Sequence, residues 1–365
     1  MTAGMNRSAM RTRLGAGATL VGAAALLLSA CAAPAEPEAT VEPAPAIEVE
    51  RSSAPEGELP DALQASLQTA LDGIMADYDV TGAVAGVWVP GEGSWTTAAG
   101  LANIDENLPT STDMQWPLRS LTKSYTVTLI LQLADEGIIS LDDTLDQYVD
   151  GVTNGEQITI RELAGMQAGI ADYTNLEFQA VFVEDVDRLF TLDELNDFSM
   201  GLPELFAPGE GKVYSNVAIN LLGKVVEIAT GQDFATVLEE RILTPLGQSG
   251  TRYITDVTTW TDPHPTGYST MSGTLEAQPD NLSIYGPAGS MIATLDDTRA
   301  WVEAIATGEF LSAATQAQRT SGAPLQAGPP YDIYGLGMGE TGGYSGHSGE
   351  GFGFTAAMFH NPETG

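Results

Sequence analysis

Hydrophobic positions recur along this chain with two periods, and each period predicts a different kind of element. Leu63, Leu67, Leu71 and Ile74 fall three or four apart, which predicts a helix from Asp61 to about Tyr78. Two strand-like stretches follow, Ala83 to Val89 and Ser94 to Ala99, and the Pro90-Gly91-Glu92-Gly93 run between them predicts a hairpin. From Ser120 to about Gly289 the pattern is mostly helical, broken by Gly- and Pro-rich connections. Tyr334 to Met338 and Phe352 to Phe359 read as strands again. Strands at both ends with helices between them predict an α/β protein with an all-α part. One antiparallel sheet would be built from both termini, with a helical insertion at about 113–289 packed against it.

Upstream of Asp61 the periods vanish. Residues 31–60 are rich in Ala, Pro and Glu, with Pro34, Pro37, Pro43, Pro45, Pro55 and Pro60 spread through them. Such a stretch buries too little to fold, and its prolines favour an extended chain. It is expected to be a tether, spanning up to roughly 90 Å at about 3.1 Å per residue. Before it, Arg7, Arg11 and Arg13 precede an apolar run from Leu14 to Ala30. That order describes a secretory signal peptide over 1–30. The run is interrupted by glycines and is short for a membrane span, which needs about 20 residues. Leu28-Ser29-Ala30-Cys31 resembles a bacterial lipobox, in which Cys31 becomes the lipid-modified first residue of the mature protein. Lipid anchoring on the outer face of the plasma membrane is therefore expected; a plain signal peptide with an incidental cysteine is the alternative. Cys31 is the only cysteine, so no disulfide can form within the chain.

Charge narrows the partners. Forty-nine acidic residues against fourteen basic ones give a net charge of −35. A surface this acidic repels nucleic acid and anionic lipid, and its plainest role is solubility.

Three short stretches could carry chemistry. In Pro117-Leu118-Arg119-Ser120-Leu121-Thr122-Lys123 a serine stands three residues before a lysine at the start of a helical run. Residues three apart on a helix are neighbours, so hydroxyl and amine can meet. Val127, Ile130 and Ala134 continue the same face, placing the pair at the top of an apolar stripe. An exposed lysine is no base at neutral pH, but burial lowers its pKa. Alone the spacing is weak, since a surface lysine after a capping serine looks the same. The chain has only three lysines, however, and the other two, Lys212 and Lys224, follow Gly209 and Leu221 at that spacing. Second, Pro208-Gly209 delivers Tyr214-Ser215-Asn216 to the start of a long helical pattern. There the phenol of Tyr214 could relay a proton to a leaving group, and Asn216 could bind a substrate amide or merely cap the helix. Third, Gly346-His347-Ser348-Gly349-Glu350 precedes a strand-like run, where glycines permit close approach of a substrate. His347 could equally be structural.

Ser-x-x-Lys, Tyr-Ser-Asn and His-Ser-Gly, in that order, resemble the three signatures of the serine β-lactamase and DD-peptidase superfamily. The likeness is to the branch holding class C β-lactamases, D-alanyl-D-alanine carboxypeptidases and related esterases, and it spans roughly 61–365. Gln132-Leu133-Ala134-Asp135-Glu136-Gly137, Ile158 to Leu163 and Pro245-Leu246-Gly247 agree with it. The resemblance implies a β-lactamase-like fold and an acyl-enzyme formed on Ser120 with Lys123 as base. Tyr214 would pass protons and Asn216 would help place the substrate. His347, Ser348, Gly349 and Glu350 would line the cleft, with the backbone N–H groups of Ser120 and Glu350 as the oxyanion hole. It implies no metal or organic cofactor, and a small peptide, ester or β-lactam as substrate.

Where carboxypeptidases of this branch often hold a substrate carboxylate with an arginine and a hydroxyl residue, this chain has Gly339 and Glu350. An acid there repels a carboxylate. Arg119 occupies a place where a small residue is common. The resemblance also leads one to expect a further strand and a closing helix after Asn361-Pro362-Glu363-Thr364-Gly365, so the sequence reads as truncated at its C-terminus. The expected activity is an envelope serine hydrolase acting on D-Ala-D-Ala-like peptides or small esters and amides. The alternative is a non-catalytic penicillin-binding or sensor-like lipoprotein. An α/β-hydrolase is disfavoured because Gly346-His347-Ser348-Gly349-Glu350 fails the Gly-x-Ser-x-Gly elbow at its last position. Paired-histidine spacing for zinc is absent from the sequence.

Overall fold

The first predicted helix forms as α1 (Asp61–Asp77), yet none of its residues is buried. The hairpin forms as β1 (Gly82–Val89) and β2 (Gly93–Asn103), with β3 (Leu108–Pro109) on the other side of β2. The structure, a computed structural model, describes residues 49–365, which fall within one unit. The predicted signal peptide, Cys31 and most of the predicted tether lie outside the described residues.

The short strand β4 (Trp116–Pro117) leads through a single 3₁₀ turn, Arg119–Leu121, into α2 (Thr122–Asp135). The helical part continues with α3 (Ile160–Ala164), α4 (Leu176–Glu184), α5 (Leu192–Asp197), α6 (Asn216–Thr230) and α7 (Phe234–Leu238). Next come β5 (Arg252–Tyr253), β6 (Tyr268–Ser269), β7 (Glu276–Ala277) and β8 (Met291–Ala293), then α8 (Leu295–Thr307) and α9 (Ala313–Arg319). The chain ends in β9 (Ile333–Tyr334), β10 (Gly339–Thr341), β11 (Tyr344–Gly351) and β12 (Phe354–His360).

Local chemistry sets these boundaries. Thr159 and Glu162 form a reciprocal capping box on α3, and Thr191 with Glu194 does the same for α5. Gly231 and Gly308 end α6 and α8 in the left-handed conformation that glycine adopts without strain. Helices α2 and α6 pack together at the centre of the core.

Three differences from the sequence reading follow. The expected single sheet is divided: the terminal strands form two separate antiparallel sheets, β1-β2-β3 and β12-β11-β10-β9, with β1 and β12 each paired on one side only, and the described residues hold two smaller sheets besides, β4-β8-β5 and β6-β7. The two terminal sheets approach through α8, which touches both β1 and β12, and through Gly365, which lies against Pro90 at the β1–β2 turn. The expected strand Tyr334 to Met338 is largely a turn. Gly337, at φ +65°, brings the backbone so close to Val127 of α2 that a Cβ there would sit 2.5 Å from that side chain. Finally, the described end of the predicted tether is docked. Arg51 pairs with Asp296 at 2.6 Å and Asp297 at 2.7 Å, and Leu59 is buried.

Candidate active site

Helix α2 is buried on every side, not along one stripe. From Pro117 to Leu133 every residue is buried except Ser120. Its hydroxyl is the one group on this segment that solvent or a substrate can reach.

Lys123 stands one turn later with no exposure. Its Nζ lies 3.0 Å from Ser120 Oγ, 2.7 Å from Asn216 Oδ1 and 2.9 Å from the carbonyl of Ala288. Burial lowers its pKa to about 7, opposed by the negative charge of Asp172. The contact set has a chemical consequence. Asn216 Oδ1 and the Ala288 carbonyl can only accept, so a neutral amine spends both N–H bonds on them. Its lone pair is left facing the serine hydroxyl.

Those acceptors are themselves held in place. Asn220, one turn along α6 from Asn216, accepts the Ala288 N–H at 2.9 Å. Thr126 donates to the neighbouring Pro287 carbonyl at 2.6 Å. The α6 N-terminus is capped by Ser215, whose Oγ accepts from Ala218 N at 3.2 Å, which leaves the Asn216 side chain free for Lys123. Asp172 adds a carboxylate to the same helix end, accepting from Asn216 N at 2.5 Å and Val217 N at 3.3 Å. Asp172 and Asn220 carry no motif in the sequence. The only signal for Asn220 is a polar residue four positions after Asn216 in an otherwise apolar helical face.

Tyr214 lies over the amine, with Lys123 Nζ 4.9 Å from its ring centroid. The residue is partly exposed while its hydroxyl is buried, with no hydrogen bond of normal geometry among the described residues. Burial pushes its ionisation well above the ordinary tyrosine range, the neighbouring Ser120 hydroxyl acting the other way. The phenol is therefore neutral at physiological pH.

The third predicted stretch is the strand β11 itself. Gly349 seats it on the Ser120 turn: a Cβ at this position would lie 2.5 Å from the Leu118 carbonyl and 3.0 Å from Ser120 N. No side chain fits there. His347 is fully buried, with Nδ1–H on the Ser348 carbonyl at 2.6 Å and Nε2 accepting from Tyr334 at 3.3 Å. Burial and the nearby Lys123 pull its pKa down to about 3, so the ring is neutral. Its partners are tyrosines and backbone, which makes it a brace within β11 and its neighbours. Ser348 is committed as well: its N–H and its hydroxyl both meet the Tyr331 hydroxyl at 2.8 Å. Glu350, next to Gly349 in β11, is exposed. At Gly339 the Tyr331 ring fills the space, since a Cβ would lie 2.5 Å from it. Among the described residues, no three His, Cys, Asp or Glu side chains are grouped to hold a metal ion, and no helix is long and apolar enough to cross a membrane.

Residues 67–365 match the family model described as Beta-lactamase. The chain is 29% identical over 304 residues to a D-aminopeptidase of Brucella anthropi, covering 81% of this chain and 56% of that protein. It is 32% identical over 199 residues to Esterase EstB of Burkholderia gladioli, covering 51% of this chain and 50% of the relative. It thus spans about half the length of the curated relatives it matches. Among solved structures, a D-stereospecific amidohydrolase from Streptomyces sp. superposes with a TM-score of 0.72 at 29% identity, covering 84% of this chain and 92% of the other.

Proposed function

The chain belongs to the beta-lactamase family of serine hydrolases, and from this premise we propose an acyl-enzyme mechanism on Ser120 directed at amides, peptides and small esters of D-residues. One observation carries the mechanism: the buried amine of Lys123 lies 3.0 Å from Ser120 Oγ with its other two contacts on acceptors.

Neutral Lys123 takes the serine proton as Oγ attacks the substrate carbonyl carbon. The oxyanion forms against the backbone N–H groups of Ser120 and Glu350. Collapse of the tetrahedral species breaks the C–N or C–O bond. The proton returns to the leaving group from Lys123 by way of the Tyr214 hydroxyl. Water then attacks the acyl-enzyme with Lys123 again as base, releasing the acid and restoring Ser120. Lys123 fits the part of base better than Tyr214, because burial favours the neutral form of both side chains, and only the neutral amine is basic.

Two features favour amide or ester substrates over a peptide ending in a free carboxylate. Tyr331 packs where a carboxylate-binding arginine would stand at residue 339, and Glu350 places an exposed acid one residue from Gly349, which is seated on Ser120. The net charge of −35 attracts the free ammonium of an amino-acid amide. The names of the D-aminopeptidase and the D-stereospecific amidohydrolase agree with that choice. The place of action is the cell envelope, on a lipid anchor at Cys31.

A fluorophosphonate or labelled penicillin should label the wild-type chain covalently and leave Ser120→Ala unlabelled. A folded wild-type chain that takes no label is a binder and not a hydrolase. Turnover of D-alanine p-nitroanilide and of a short-chain aryl ester should exceed that of a D-Ala-D-Ala peptide. Preference for the peptide would reverse the substrate assignment.

A further inference from the structure

The residue immediately before the nucleophile is the least expected in the site. Arg119 is 1% exposed, and its backbone sits at φ +50°, a conformation that strains any residue but glycine. Its guanidinium is held from three directions. Nε donates to the Gly351 carbonyl at 3.1 Å. Its Cζ lies 4.5 Å from the Tyr285 ring centroid and 5.0 Å from that of Phe354, a cation between two aromatic faces. Asp280 lies near enough to favour the charged form against burial.

Gly351 is the last residue of β11, and it too is seated tightly: a Cβ there would lie 2.6 Å from the Tyr285 hydroxyl. Two positions earlier, Gly349 is seated on Leu118 and Ser120. Between them stands Glu350, whose N–H is the second oxyanion donor in the reading above. The strand therefore touches the nucleophile segment at two points, one through the Ser120 turn and one through the Arg119 side chain. Both belong to consecutive residues of the same turn. Beyond Gly351 the chain reverses at Phe352, which packs on Phe182 of α4 at 5.4 Å. Without the Arg119 contact the strand end keeps ring packing, Phe352 on Phe182 and Tyr285, and Phe354 on Trp116.

We propose that Arg119 is a positioning residue for the oxyanion hole, its side chain fixing the end of β11 so that the N–H groups of Ser120 and Glu350 converge on one point. The inference rests on the acyl-enzyme reading and adds to it a part for a residue outside the three motifs. Lysine at this position keeps the charge but loses the planar stack and the Nε geometry. Methionine keeps the bulk and loses both.

The test uses the mature chain with Arg119→Lys and Arg119→Met, and a chromogenic phosphonate as probe. The final extent of labelling measures the folded, competent fraction; the rate constant measures the geometry. Both variants should reach the wild-type extent, with rates about 10-fold lower for lysine and on the order of 100-fold lower for methionine, the size of losing one oxyanion donor. With an aryl ester the loss should fall on kcat and leave KM within about twofold, because a planar ground state makes little use of the hole. Wild-type rates at full extent in both variants would overturn the proposal, as would a loss confined to KM. If Arg119→Met does not fold, its labelling extent collapses and Arg119→Lys decides alone, a slowed rate supporting the proposal and a wild-type rate sinking it. Absence of Ser120-dependent labelling in the wild-type chain would instead overturn the acyl-enzyme reading and this inference with it.

Discussion

Helices α1 and α2 carry the same spacing of apolar residues and end in opposite surroundings. Leu63, Leu67, Leu71 and Ile74 line α1, where no residue is buried; Val127 and Ile130 lie in α2, where every residue from Thr122 to Leu133 is buried. The period predicts a helix in both cases and a core-facing stripe on α2, but it does not tell a helix buried all round from one with no buried residue. What separates them is the number of partners. Helix α2 is covered by α6, α7 and the turn at Gly286–Ala288, whereas α1 lies at the margin of the domain. The site depends on that difference, because an amine on α1 would be an ordinary exposed lysine. On α2 the same side chain loses its water, which lowers its pKa to about 7 and suits it to the proposed part of base.

The largest break in this comparison is removal of the buried amine. Lys123→Met should lower acylation of a D-residue amide by roughly 10²–10⁴-fold, the usual worth of a general base. In the wild type the acylation rate should rise with pH through about 7, as the amine loses its proton. A flat profile from pH 5 to 9 would remove Lys123 from the mechanism. Stability carries the same signature with a definite sign. The unfolded chain binds a proton at Lys123 up to about 10.5 and the folded chain only up to about 7, so stability rises with pH between those values. Denaturant midpoints should climb over that window in the wild type and lose that part of the slope in Lys123→Met.

Next in size is the packing that keeps the amine dry. Ile130 is fully buried in α2, and Ile130→Ala should cost about 2–5 kcal/mol by urea unfolding. A cost below about 1 kcal/mol would mean that the core around α2 collapses freely onto the gap.

Smaller again is the charge behind the amine. Asp172 raises the Lys123 pKa and accepts from the first N–H groups of α6. Asp172→Asn should cost about 1 kcal/mol as a lost helix-end contact. It should also move the rising limb of the pH–rate profile to lower pH. An upward move would show that Asp172 acts on Lys123 only through the placement of Asn216.

Much of this site was legible because chemistry fixed its spacing in the sequence. Ser120 and Lys123 lie one turn apart, and Tyr214 and Asn216 flank a capping serine. The glycines of β11 mark a strand that must lie against backbone. What escaped was held by long-range contacts with no local period. Ala288 contributes a carbonyl, which any residue has. Asp172 and Tyr331 arrive from loops far away in sequence, and Arg119 looked like an anomaly until its partner, Gly351, was placed. The fold divides the same way. Hairpin and helices were visible from their periods, but the separation into two sheets depends on which strand edges meet, and alternation of side chains does not encode that.

The smallest effect tests the other half of the comparison. Leu71 of α1 is only partly covered, so Leu71→Ala should cost under about 1 kcal/mol, from the modest apolar area it removes from contact. The helix itself gains slightly, since alanine is the better helix former. Urea unfolding of Leu71→Ala beside Ile130→Ala therefore measures burial with helix propensity nearly held constant. Should the two substitutions cost the same, the face of α1 is covered in solution by something outside the contacts described here. The contrast between the helices would then shrink to their lysine content. A threefold or greater difference would establish that one sequence period serves a marginal helix and a catalytic one, and that the packing around α2 makes the base.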